Sequence, residues 1–190
     1  MAAGTTAFSN NNADVWLRDV MSDCVLCPRA CHVNRLAGQI GYCGQTSELM
    51  AARASLHYWE EPCISGKKGS GAVFFSGCNL GCVYCQNREI ALGHSGRTIT
   101  QDRLCEIYME LQEKKANNIN LVTAGHYLPI VIESIKRARK SGLTIPIVYN
   151  SSGYEKVEAI PLVVIKKDQS RESYDLSLIH ISEPTRPISI

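Results

Sequence analysis

The feature that most constrains this chain is an apolar run, bounded by glycines, that leads directly into three closely spaced cysteines. The run is GAVFFSG at residues 71–77, and Cys78, Cys82 and Cys85 follow it with the spacing C-x3-C-x2-C. A short, aromatic-rich run between glycines predicts a buried β-strand. The three thiols are therefore predicted to form a metal-ligand set on a loop at the carboxyl end of that strand.

A site with three thiolate ligands indicates a different kind of metal centre from a site with four. A structural zinc site is usually closed by four ligands, and a cubane iron–sulfur cluster is normally held by four thiolates. With only three protein ligands, one metal position stays open for another molecule. A zinc site and a loop of reduced, unliganded cysteines are the alternative interpretations.

The sequence around the loop resembles a known family. The similar segments are NLGCVYCQN at residues 79–87 and the upstream WEEPCISG at residues 59–66. They are similar to the radical S-adenosylmethionine (SAM) proteins related to the pyruvate formate-lyase activating enzyme. Within that group, the similarity is greatest to a bacterial and archaeal branch with a cysteine-rich N-terminus. The resemblance implies that Cys78, Cys82 and Cys85 hold a [4Fe-4S] cluster whose open iron binds SAM, and that Tyr84 lies against the adenine.

The same resemblance points to further SAM-binding positions at two strand ends. Many family members carry a Gly-Gly-Glu segment that holds the SAM amino group, whereas this chain has TAGH at residues 123–126. Thr123, with backbone carbonyls, is predicted to take over that contact, and His126 is either a substrate-facing or a structural residue. Asn150 and Ser152 are similar to the polar strand end that meets the ribose.

A second group of cysteines precedes the strand. Cys24, Cys27, Cys31 and Cys43 have the spacing C-x2-C-x3-C-x11-C, and nearby glycines allow the tight turns that would bring the last one round. Such a set predicts a closed four-thiolate site for zinc or a second iron–sulfur cluster, with buried free thiols as the alternative. Cys63 is predicted to be buried, rather than a fifth ligand or a substrate-proximal thiol.

Strand and helix signals alternate after the first cysteine-bearing strand. Further strands are predicted at residues 118–123 and 145–150, with helices that begin after Thr100, over residues 128–140, and at Tyr154. In the first helix, one apolar stripe at helical spacing comprises Leu104, Ile107, Tyr108 and Leu111. This alternation predicts an α/β fold with a parallel sheet and ligands at the carboxyl ends of its strands.

The resemblance implies a partial (β/α) barrel of the radical SAM type, truncated after about three βα units, with a small cysteine-rich N-terminal extension. Four segments are expected: a lead-in at 1–22, the extension at 23–66, the N-terminal half of the barrel at 67–160, and an unrelated tail at 161–190. The tail includes SLIHISEPTRP, which resembles a sequencing adapter translated in frame and is predicted to be an artefact.

The amino-acid composition limits which binding partners and which cellular compartment are expected. The 190 residues are 45% hydrophobic and carry a net charge of only +2, so no nucleic-acid or anionic-membrane partner is expected. No stretch approaches the ~20 apolar residues of a membrane span. The nine cysteines have spacings that suit metal rather than disulfides, and no signal segment precedes them, so a reducing, cytoplasmic location is expected.

The predicted function is reductive cleavage of SAM to a 5′-deoxyadenosyl radical that takes hydrogen from a substrate. The resemblance implies a low-potential electron donor such as flavodoxin or ferredoxin, and a glycyl-radical protein as the substrate. Modification of a small molecule or peptide is a second enzymatic hypothesis, because one scaffold serves many reactions. A non-catalytic zinc-binding interaction module and an inactive truncated fragment are the remaining alternatives.

Overall fold

The computed structural model describes residues 19–156, and in this part five strands form one mixed sheet. The elements in chain order are β1 Met50–His57, α1 Pro62–Ser65, β2 Ser70–Phe75, α2 Arg88–Ala91, β3 Arg97–Thr98, α3 Gln101–Glu113, β4 Ile119–Val122, α4 Leu128–Lys140 and β5 Ile147–Asn150. Single 3₁₀ turns occupy Arg35–Ala37 and Gly125–Tyr127. The fold of the described residues is therefore mixed α/β.

The sheet has the strand order β3-β1-β2-β4-β5. Strands β2, β4 and β5 run parallel to one another, and β1 runs antiparallel to both β2 and β3. The register aligns Phe74 with Val122, and Val122 with Asn150. The carboxyl ends of all three parallel strands consequently lie side by side at one edge of the sheet.

The main core lies between the sheet and the two long helices. Val73 and Phe75 of β2 and Leu121 of β4 are fully buried against α3 and α4. The predicted stripe of α3 is buried at all four positions, namely Leu104, Ile107, Tyr108 and Leu111. Thr100 caps this helix, since its Oγ1 accepts a hydrogen bond of 3.1 Å from the backbone N–H of Arg103.

The strands and the two long helices that the sequence predicts are confirmed, with α4 at the predicted bounds. Two features differ. The predicted helix at Tyr154 is absent through Lys156, where the description ends. Strand β1 falls in the segment predicted as the extension, yet it pairs with β2 in the common sheet.

The predicted tail at 161–190 and most of the lead-in at 1–22 lie outside the described residues. None of the helices formed by residues 19–156 combines the length and the apolar character that a bilayer crossing requires.

Candidate metal centre

The cysteine loop, residues 76–87, leaves the sheet where β2 ends. Gly77 turns the chain with φ +85°, and a side chain there would come within 2.5 Å of the Cys43 carbonyl oxygen, so this position requires glycine. The backbone N–H of Leu80 donates to Cys78 Sγ at 3.4 Å. Cys78, Cys82 and Cys85 are all partly exposed, so a group from outside the chain can reach them.

The ends of β4 and β5 lie beside this loop. The backbone N–H of Thr123 donates to the carbonyl of Asn150 at 3.0 Å, which joins the two strand ends. Thr123 has φ +59°, a conformation that a β-branched residue adopts at a cost of ~1–3 kcal/mol. From the loop side, the Asn79 amide donates to the carbonyl of Tyr154 at 2.8 Å. Three separate chain segments therefore meet at one edge of the sheet.

The residues predicted to bind SAM lie around this edge with different exposures. Thr123 and Asn150 are half-buried at the ends of β4 and β5, and Ser152 is exposed in the segment that follows. The Tyr84 side chain is 80% exposed and so has a free face. Their role in SAM binding remains a prediction.

His126 is a structural residue in this fold. Its ring is buried, and Nε2 donates to the carbonyl of Ser76 at 2.7 Å. Burial lowers the pKa of His126 to about 4, and nearby Arg35 adds to this effect, so the ring is neutral near pH 7. This neutral imidazole supports the start of the cysteine loop.

Glu155 was not identified from the sequence as a site residue, because it lies far from Gly125 along the chain. A methyl group at Gly125 would lie 2.5 Å from Oε2 of Glu155, so the carboxyl group sits directly against the end of β4. Burial raises the pKa of Glu155 to about 6, and neighbouring Tyr149 opposes this shift. An acidic group is thus present where the TAGH segment supplies none.

The remaining cysteines differ in how far their side chains are exposed. Cys24, Cys27 and Cys43 are buried, and Cys31 is half-buried. The prediction that Cys63 is buried is wrong: it lies near the N-terminus of the short surface helix α1, where its side chain is exposed. Cys105, half-buried on α3, donates to the carbonyl of Ser134 at 3.2 Å and packs between the two long helices.

The donor set of the loop decides which metal group fits it. Soft thiolate ligands select iron–sulfur clusters, zinc and copper(I). Three thiols on one loop suit a [4Fe-4S] cluster in which one iron lacks a protein ligand. Among residues 19–156, no three His, Cys, Asp or Glu side chains are already grouped as a site for a single metal ion.

Fold and site together define an iron–sulfur protein with a mixed α/β sheet. Residues 64–170, more than half of the chain, match the family model described as "4Fe-4S single cluster domain". The chain belongs to this family, and the match spans Cys78, Cys82 and Cys85.

Three curated proteins are similar to parts of the chain. An uncharacterized protein of Methanocaldococcus jannaschii is 29% identical over 152 residues, which are 77% of this chain and 43% of that protein. The transcriptional repressor NrdR of Lachnoclostridium phytofermentans is 61% identical over 41 residues, 20% of this chain and 27% of the repressor. Its counterpart in Agathobacter rectalis is 58% identical over 40 residues, 19% and 26% respectively.

The chain spans less than half the length of each of these relatives. No solved structure matches it.

Proposed function

We propose that this chain carries the cluster-binding part of a radical SAM enzyme related to the pyruvate formate-lyase activating enzyme. The observation that carries the proposal is the set of three cysteines at the end of β2, in a chain that belongs to a 4Fe-4S single-cluster family. A [4Fe-4S] cluster held by only these three thiolates would have one iron without a protein ligand, where the amino and carboxylate groups of SAM would bind. The NrdR matches cover only about a fifth of the chain, so the repressor activity is not carried over.

Cys78, Cys82 and Cys85 would hold the cluster, which would supply the one-electron reduction needed for cleavage of SAM and for hydrogen abstraction from a substrate. The chain itself holds the three thiolates and positions SAM beside them. The ring of Tyr84 is exposed, and we propose that it lies against the adenine. Thr123, Asn150 and Ser152 border the same edge of the sheet and are candidates for contacts to the ribose and the methionine moiety.

Glu155 supplies the acidic group that this arrangement needs. Its carboxyl group lies against Gly125, at the strand end where many family members hold the SAM amino group. We therefore assign the contact to the SAM amino group to Glu155, as acceptor of an N–H hydrogen bond, instead of to Thr123 alone. Thr123 keeps a supporting role through its backbone, which is bonded to Asn150.

The substrate follows from the resemblance to an activase. A glycine of a partner protein is the favoured hydrogen donor, and flavodoxin or ferredoxin is the favoured electron donor. Modification of a small molecule or peptide is the alternative within the same chemistry.

Anaerobic reconstitution with iron and sulfide tests the proposal. We expect the triple variant Cys78→Ala/Cys82→Ala/Cys85→Ala to bind about four irons fewer than the wild type, whereas Cys63→Ser, which removes an exposed cysteine outside the loop, keeps the wild-type iron content. In the wild type, SAM should change the electron paramagnetic resonance (EPR) spectrum of the reduced cluster, and dithionite should drive release of 5′-deoxyadenosine.

The EPR measurement does not depend on turnover, so it tests SAM binding even in a chain that spans only part of its relatives. A wild-type spectrum that SAM leaves unchanged would contradict the proposal. A triple variant with the iron content of the wild type would contradict the cluster assignment itself. A colourless preparation that contains only zinc would favour the interaction module.

A further inference from the structure

The backbone brings together the segments that carry the four N-terminal cysteines, which are spread over twenty residues of sequence. The backbone N–H of Cys24 donates to the carbonyl of Val33, and that of His32 to the carbonyl of Cys24, both at 3.0 Å, which folds the segment around Cys31 back onto Cys24. The guanidinium of Arg29, two residues after Cys27, lies 3.7 Å from the centre of the ring of Tyr42, which precedes Cys43.

The sulfur atoms of this segment are largely enclosed by the fold. Cys24, Cys27 and Cys43 are buried, and the backbone N–H of Tyr42 donates to Cys31 Sγ at 3.3 Å. Burial disfavours a thiolate without a charge partner, whereas a bound metal takes the thiolate form and compensates its charge. These free thiols therefore suit a metal centre better than isolated ionised cysteines.

A buried cation lies beside the same cysteines. Arg35 is 1% exposed, and its guanidinium donates to the carbonyls of Thr46 (3.1 and 2.6 Å) and His126 (2.6 Å). No ion pair within residues 19–156 includes it. Four thiolates around a divalent metal or a closed cluster carry a net charge of about −2. That charge would balance Arg35, whose field already acts on Cys43.

The cysteine loop contacts the segments that carry the four N-terminal cysteines. The backbone N–H of Cys78 donates to the carbonyl of Cys43 at 3.2 Å. Arg29 donates to the carbonyls of Asn79 and Leu80, both at 3.0 Å, and its guanidinium stacks 3.7 Å from the centre of the Tyr42 ring. Whatever fixes Cys27 and Cys43 therefore also fixes the backbone on either side of Cys78.

We infer that Cys24, Cys27, Cys31 and Cys43 bind a second metal centre, and that this centre positions Cys78 for the first cluster. The shared chemistry is a closed four-thiolate centre, which takes either zinc or an iron–sulfur cluster. Its thiols release their protons when the metal binds. This inference goes beyond the proposed function, because it concerns a separate site and needs no SAM.

The test uses the full chain with the loop triple variant Cys78→Ala/Cys82→Ala/Cys85→Ala as background. After anaerobic purification and reconstitution, this variant should retain about one zinc or about four irons per chain. Adding Cys24→Ser and Cys43→Ser should remove that metal, whereas adding Cys63→Ser should not. Elemental analysis with acid-labile sulfide distinguishes zinc from an iron–sulfur cluster.

A loop triple variant without any bound metal would overturn the inference, even if SAM cleavage by the wild type were observed. Conversely, the inference survives if SAM never binds, because only metal is counted. The positioning role is tested separately in Cys24→Ser/Cys43→Ser, which removes the second centre and leaves Cys78, Cys82 and Cys85 in place. We expect the loss of iron from the first cluster to a chelator to become about tenfold faster; an unchanged rate would overturn the positioning role.

Discussion

At the scale of single residues, the most informative position is Glu155. Its carboxyl group is held partly out of water at the end of β4, and burial raises its pKa to about 6. A carboxyl with a raised pKa is still ionised near pH 7, but it becomes neutral in mildly acidic solution. The hydrogen bond that the carboxylate accepts from the SAM amino group should therefore weaken as the pH falls through about 6.

This gives a pH-dependent prediction. In the reconstituted wild type, the affinity for SAM should fall below pH 6 by up to about tenfold per pH unit, since one proton must be displaced for binding. Glu155→Gln should bind SAM more weakly at pH 7.5 and show a flatter profile between pH 5 and 7.5. Calorimetric titration at several pH values measures both. Parallel profiles for the two proteins would show that another group contacts the SAM amino group.

At the scale of elements, the turn between β2 and the cysteine loop fixes where the ligands begin. Gly77 combines a positive φ with direct contact to the backbone of Cys43. Gly142, which follows α4, has φ +101° but has open space where a side chain would go. The two glycines therefore separate the cost of the backbone conformation from the cost of the contact.

We expect Gly142→Ala to lower the free energy of unfolding by about 1–2 kcal/mol, the usual cost of an alanine at positive φ. Gly77→Ala should lose about 2 kcal/mol more, because the extension must move away from its methyl group. It should also lower the iron content after reconstitution. Urea unfolding of the reduced chain and iron analysis measure these effects. Equal losses in both variants would mean that the contact with Cys43 is not maintained in solution.

The elements that the sequence predicts share one property, which is a local pattern. The stripe of α3, the cap at Thr100 and the apolar run of β2 are each visible within a few residues. Strand β1 has no such local pattern, because its side chains are half-buried or exposed without alternation. Its position is determined by pairing with β2 and β3. Such long-range contacts leave no periodic pattern in the local sequence.

The same limit applies to the site. The three loop cysteines are recognisable because their spacing is local, whereas Glu155 and Arg35 matter only through residues far away in sequence. The sequence around Arg35 does not indicate that its side chain is buried, since arginine is rarely buried. Its hydrogen-bond partners, the carbonyls of Thr46 and His126, are not recognisable from the sequence either. Exposure of Cys63 was missed for the same reason, because residue type alone suggested burial.

At the scale of the whole molecule, the extension and the sheet are connected by a few buried polar contacts. Arg35 joins Thr46 to the carbonyl of His126, and the Tyr127 hydroxyl donates to Gln45 at 2.7 Å. His126 in turn holds Ser76, at the start of the cysteine loop. These contacts make the segment predicted as a separate extension part of one cooperative structure with β2 and β4.

Arg35→Met tests this connection, since methionine fills much of the space but leaves the carbonyls of Thr46 and His126 without their donors. We expect a loss of about 3 kcal/mol or more in the free energy of unfolding. Arg53→Met, at an exposed position on β1, should change it little. Hydrogen exchange followed by mass spectrometry should show faster exchange at Cys78 and in β4 together, because both depend on the same anchor. Faster exchange confined to residues 24–46, with β4 unchanged, would show instead that the extension unfolds as an independent unit.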